Sequence, residues 1–150
     1  MSSNKKMNEI LSHIQSDRNV RKMKKYIQHG SVSTFDHCES VARLCYAINR
    51  RFSLHADLEV LLTGAMLHDF YLYDWHCRDN GGHRFHGFRH AMTACRNAER
   101  YMNIDRRTSD VIYSHMWPLN PERIPASKEA WIVCVADKVV SLHETLFKRS

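Results

Sequence analysis

Only five glycines and three prolines interrupt the 150 residues of this chain, too few to turn it through the many hairpins of an all-β fold. Its apolar residues recur at helical spacing instead. Met7, Ile10, Leu11 and Ile14, followed by Val20, Met23, Tyr26 and Ile27, place one or two amphipathic helices across residues 4–29. His29-Gly30 reads as their stop, with Gly30 free to take the left-handed conformation that ends a helix. Ser31, Ser33 and Thr34 then offer N-caps for a helix running to about Arg50, with Val41, Leu44, Cys45 and Ile48 on its apolar face. Further helices are expected over 55–69, about Gly87 to Asn103, about Arg107 to Met116, and about Ser127 to Phe147. Residues 76–86, containing Asn80-Gly81-Gly82, form the clearest loop, and Pro118, Pro121 and Pro125 mark a rigid surface connection. With no internal repeat and no linker, the expectation is an all-α fold, one compact helical bundle forming a single domain over 1–150.

Charge and cysteine usage narrow the function classes. The net charge of +6 gathers in Arg18–Lys25 and is otherwise scattered. That pattern suits a solvated helix face or a basic rim around an anion site, and specific nucleic-acid binding is not expected. Five cysteines, an odd number with no C-x-x-C spacing, suggest neither a disulfide framework nor a thiolate zinc site. No apolar run is long enough to span a bilayer and MSSNKKMNEI lacks a signal-peptide core, so a cytoplasmic protein without a membrane partner is expected.

Histidine is the outlier, with eleven in 150 residues. Several stand where a helix otherwise looks buried: His37 in STFDHCESVA, His68-Asp69 in LLTGAMLHDF, His90 in FRHAMTA and His115 in IYSHMW. Asp137 is the sharpest case, because WIVCVA precedes it and VVSL follows within two residues. A buried, unpaired carboxylate or imidazole is costly. A cation would neutralise the aspartates and accept the imidazole nitrogens together. A mixed nitrogen and oxygen donor set without thiolate suits Fe, Mn, Co, Ni or Zn. His68 and Asp69 diverge by about 100° on a helix. They can share one ion only where the helix end lets them converge, or else they reach two ions from one edge.

The ordered pattern H…HD…H…H…D on successive helices resembles the HD superfamily of metal-dependent phosphohydrolases, over roughly residues 30–145. LLTGAMLHDF resembles its central helix, TFDHCESVA the segment before it, and VADKV its closing helix. The resemblance implies that His37, His68, Asp69 and Asp137 form the minimal metal set. It also implies that His90 and His115 are the added histidines of binuclear members, with Asp69 bridging. One or two divalent ions are therefore implied, magnesium also being compatible. Water activated by the metal would attack phosphorus in line. HGFRHA offers both His86 and His90; the helical phase into AMTACRNAERYMNI favours His90 as ligand and leaves His86 near the mouth as a phosphate or proton donor. Arg84 and Arg89 flank the site, and either could clamp a phosphate or simply lie on a solvated face. Lys138 could meet a substrate phosphate, help the leaving oxygen depart as a catalytic group, or simply pair with Asp69. Tyr71, Tyr73, Asp74 and Trp75 could shape a base-stacking pocket or simply pack the loop. His29, His55, His76, His83 and His143 read as surface or loop residues.

The function expected is hydrolysis of a phosphate ester or anhydride in a nucleotide or related small molecule, by a monomer or homo-oligomer. Two rivals from other classes stand beside it: an HD-related di-iron oxygenase, and a non-catalytic module that binds metal or nucleotide as a signal.

Overall fold

The computed structural model describes residues 2–73 and 86–148. Within them the chain runs through α1 (Ser3–Gln15), α2 (Arg18–Arg21), a 3-10 turn (Lys22–Lys25), β1 (Ile27–His29), β2 (Val32–Ser33), α3 (Thr34–Arg51), α4 (Leu58–Leu67), α5 (His86–Met102), α6 (Arg106–Ser114) and α7 (Lys128–Phe147). The fold is all-α, with a single two-stranded hairpin among the described residues. No helix among them is long and apolar enough to cross a membrane.

Most helices begin where a polar side chain takes up a free amide. Ser2, Asp17, Ser33, Asp57, Asp105 and Ser127 each accept a backbone N–H from the first turn of the helix that follows. Such caps contribute about 0.5–2 kcal/mol each and set the phase in which each helix presents its apolar side.

At the centre lies α4. Val60, Leu61, Leu62, Gly64, Ala65, Met66 and Leu67 are all buried, a helix apolar almost all round and enclosed by its neighbours. It packs against α1, α3, α5, α6 and α7. The approach to α6 depends on Gly64, since a β-carbon there would stand 2.6 Å from Val111 Cγ1. Phe35, Val41, Ala42 and Cys45 from α3, and Ala130, Val133 and Ala136 from α7, complete the core around it.

Residues 22–29 depart from the helix expected there. The helix stops at Arg21, and Ile27–His29 instead pairs antiparallel with Val32–Ser33. Gly30 does take a left-handed φ of 58°, but in the hairpin turn rather than at a helix end. The inversion of burial explains the departure: apolar Ile27 is 41% exposed while polar Gln28 is 6% exposed. Gln28 points inward because its amide has a buried partner far along the chain, as described next.

Candidate metal centre

Two histidines reach the centre by the same local device. α4 ends at Leu67 and α6 at Ser114, so His68 and His115 each occupy the C-cap in right-handed helical conformation. A helix end leaves carbonyls without amide partners. The imidazole Nδ1 of His68 meets the carbonyl of Ala65 at 2.6 Å, and that of His115 meets Ile112 at 2.7 Å. A carbonyl can only accept, so Nδ1 carries a proton in both rings and Nε2 is the ring atom that faces inward. His37, in the first turn of α3, is oriented by Glu144, whose Oε2 lies 2.8 Å from its Nδ1. All three rings are fully buried.

Asp69 joins the groups. Because α4 has ended, Asp69 is free to swing beside His68, and its Oδ2 lies 3.2 Å from His68 Nε2 and 3.5 Å from His37 Nε2. Asp137 Oδ1 completes that side, 3.0 Å from His37 Nε2 and 3.2 Å from His68 Nε2. The other oxygen of Asp69, Oδ1, faces a second pair: His90 Nε2 at 3.3 Å and His115 Nε2 at 3.4 Å, themselves 3.0 Å apart. Two groups of potential ligands thus share one carboxylate, His37, His68, Asp69 and Asp137 on one side and Asp69, His90 and His115 on the other. Asp69 Oδ1 is buried and makes no hydrogen bond.

These features fit a cation. Ligand atoms held about 2.1 Å from an ion at angles between 90° and 110° stand about 3.0–3.4 Å from one another, close to the separations of 3.0–3.5 Å seen here. An orphaned buried carboxylate oxygen between two imidazole nitrogens is costly without an ion and satisfied with one. The donor set, four imidazoles and two carboxylates with no thiolate among them, is that of a divalent metal site. His68 and Asp69 converge at a helix end and Asp69 also reaches a second group, so both geometric options for this dipeptide are realised together.

Electrostatics point the same way. Burial alone would lower the pKa of His37, but hydrogen bonds to Asp137 and Glu144 hold it at about 10. Against the same opposing burial, the charges of Asp69 and Asp137 hold His68 well above its ordinary value. Burial would raise both aspartates, yet the neighbouring imidazoles, His68 foremost, push Asp69 and Asp137 well below the usual carboxylate range. His115 is lowered by burial and by the nearby His68 and His90. Without metal, two imidazolium protons therefore stand where cationic charge is called for.

The structure brings together His37, His68, Asp69, His90, His115 and Asp137, but not every residue singled out in the sequence. Lys138 is exposed. Its ammonium donates to the carbonyls of His115 and Cys134 at 3.2 and 3.4 Å rather than to Asp69, because one step along α7 turns it away from the side Asp137 occupies. Tyr73 is half-buried, its ring 4.8 Å from that of Tyr71. Arg89 is exposed in the first turn of α5, next to His90. Arg84 and the side chain of His86 lie outside the described residues, as do Asp74 and Trp75.

The roles of Glu144, Gln28 and His29 near the centre were not expected from the sequence. Glu144 had a signal, since it follows Asp137 by two helical turns and so shares its face. Gln28 donates to Asp69 Oδ2 at 2.8 Å, and nothing in its local sequence announces this. His29, expected at the surface, is half-buried with its ring 5.5 Å from that of His37. Tyr71 is buried, and its hydroxyl bonds Gln28 Oε1.

Comparison with known families agrees with the geometry. The HD domain model matches residues 34–142, which include His37, His68, Asp69, His90, His115 and Asp137. No curated protein and no solved structure gives a significant match. A match over more than two thirds of the chain, on the helices that assemble the centre, shows that this protein belongs to the HD domain family.

Proposed function

We propose that the chain is a metal-dependent phosphohydrolase acting on a phosphate ester or anhydride of a nucleotide or related small molecule. One observation carries the reading: Asp69 directs each carboxylate oxygen into a different histidine group. Many members of the HD family are metal-dependent phosphohydrolases, and a shared carboxylate between two adjacent donor groups suits a two-ion centre. Divalent ions bound there would supply Lewis acidity toward a phosphoryl oxygen and make water nucleophilic near neutral pH.

The protein's own residues do the rest. His37, His68, Asp69 and Asp137 would hold one ion, and His90 and His115 with Asp69 the other. Glu144 and the carbonyls of Ala65 and Ile112 keep the imidazoles in a single tautomer and orientation. Burial of the rings excludes bulk water from the ligand atoms, which strengthens every charge interaction at the centre. Arg89 is assigned to the substrate phosphate, together with Arg84; His86 is assigned to proton donation at the leaving oxygen and Tyr73 to contact with the substrate body. Lys138, committed to backbone carbonyls, is not assigned a role.

The test is elemental analysis followed by a panel of nucleotides and diadenosine polyphosphates with manganese, cobalt, nickel and iron. Phosphate or nucleotide release is expected, and it should vanish in Asp69→Ala while the circular dichroism spectrum stays helical. Full metal content and full turnover in Asp69→Ala would overturn the centre. Consumption of dioxygen by an iron-loaded protein that releases no phosphate would replace hydrolysis with oxygenase chemistry.

A further inference from the structure

We propose that Gln28 is the positioning residue that makes Asp69 a bridge between two ions rather than a chelator of one. The inference rests on the metal-centre reading above. Rotation about the last torsion of an aspartate is soft and roughly two-fold, so a carboxylate surrounded by imidazoles has no intrinsic reason to divide its oxygens between two groups. Gln28 Nε2 lies 2.8 Å from Oδ2, nearer than any of the imidazole nitrogens at 3.2–3.5 Å. An imidazole nitrogen that binds metal offers a lone pair and no proton, and so gives Asp69 no hydrogen bond. An amide N–H keeps its protons under all ordinary conditions. Once ions are bound, Gln28 is the donor that remains on the Asp69 carboxylate among the described contacts.

The amide cannot turn over. Its Oε1 accepts from the Tyr71 hydroxyl and, at 3.4 Å, from Thr34 Oγ1. Reversal would set a carbonyl against a carboxylate, two acceptors with no proton between them. Thr34 is itself anchored, its backbone N–H donating to the Tyr26 carbonyl at 2.7 Å. The three residues come from the hairpin, the start of α3 and the segment after α4, and all are buried. An inward-facing Gln28 beside an exposed Ile27 is the burial inversion that defines the hairpin. By occupying one side of Oδ2, the amide leaves that oxygen a single direction toward His37, His68 and Asp137, and points Oδ1 at His90 and His115. Released from it, the carboxylate can turn both oxygens to one ion, and the other group is left with two imidazoles.

Manganese binding tests this directly. The wild-type chain is expected to take up two Mn(II) ions that are magnetically coupled, visible as a broadened low-temperature paramagnetic resonance spectrum. Gln28→Leu, close in size and without polar atoms, should weaken the second ion about 10–100-fold. At limiting free manganese it should hold one ion and show an uncoupled six-line spectrum. Tyr71→Phe, which removes only a hydroxyl that orients the amide, should shift affinity in the same direction by less. The melting temperature of the metal-free variants reports any general packing defect separately, and loss of coupling at unchanged melting temperature is the signature of positioning. If Gln28→Leu does not fold, Tyr71→Phe decides alone. Two coupled ions of wild-type affinity in both variants would overturn the inference. So would a wild-type chain that holds a single ion, although the metal centre itself would then stand; a wild-type chain that takes up none would overturn both.

Discussion

Loading the centre should expel protons, and the pH dependence of that exchange follows from the structure. In the metal-free chain His37 carries a proton held by Asp137 and Glu144 against burial, with its pKa at about 10. Displacing it at pH 7 costs about 4 kcal/mol, at roughly 1.36 kcal/mol for each pH unit, and weakens apparent metal affinity about a thousandfold. Asp69 and Asp137 are held ionised and release no proton, whereas His68, raised above its ordinary value, adds a second. Affinity for manganese should therefore rise at least about tenfold per pH unit from pH 6.5 to 8.5. Calorimetric titration in buffers of different ionisation enthalpy should count between one and two protons released. Glu144→Gln, which removes one of the carboxylates raising His37, should bring the plateau of affinity to lower pH. The stability of the metal-free chain carries the complementary sign. The His37 contribution is complete below its ordinary value of 6.5 and fades as pH rises toward 10. The aspartate contributions are complete above their ordinary value of 3.8 and fade as pH falls. The metal-free protein should thus melt highest between about pH 4 and 6.5, and the metal-loaded protein at higher pH. Affinity that is flat with pH, or loading that releases no proton, would refute the account of a proton-filled centre.

Other substitutions probe the frame around it. Gly64→Ala should press its new methyl on Val111, 2.6 Å from Cγ1, and cost about 1–3 kcal/mol; a thermal melt lowered by about 3–10 °C is expected, and an unchanged melt would mean that α4 and α6 separate freely. Asp57→Ala removes the cap on Val60 N–H and one of two carboxylate partners of Arg107, at 2.9 Å, with a loss of about 1 kcal/mol in chemical denaturation. Lys138→Met should leave turnover within a few-fold of wild type, since the ammonium is bound to backbone carbonyls; a hundredfold loss would return it to the reaction.

Most helices and the six clustered histidines and aspartates were legible from local pattern. Ser33 and Ser127 announce helix starts because a cap acts within three residues of itself, and Asp137 stands out because a carboxylate inside an apolar face demands a partner wherever the chain folds. Even Glu144 could have been read, two turns beyond Asp137 on the same helix. The hairpin was not legible: Tyr26 and Ile27 continue a helical apolar repeat, and what turns the chain into a strand includes a bond from Gln28 to a carboxylate 41 residues away. The inward placement of His29 depends on that same turn, and the aim of Lys138 on the His115 carbonyl at the end of another helix. Residue type and period, being local, determined that this chain folds as helices carrying imidazoles and carboxylates. Which oxygen of Asp69 faces which histidines was decided only by tertiary structure, because a carboxylate's orientation is set by whatever donors packing brings to it.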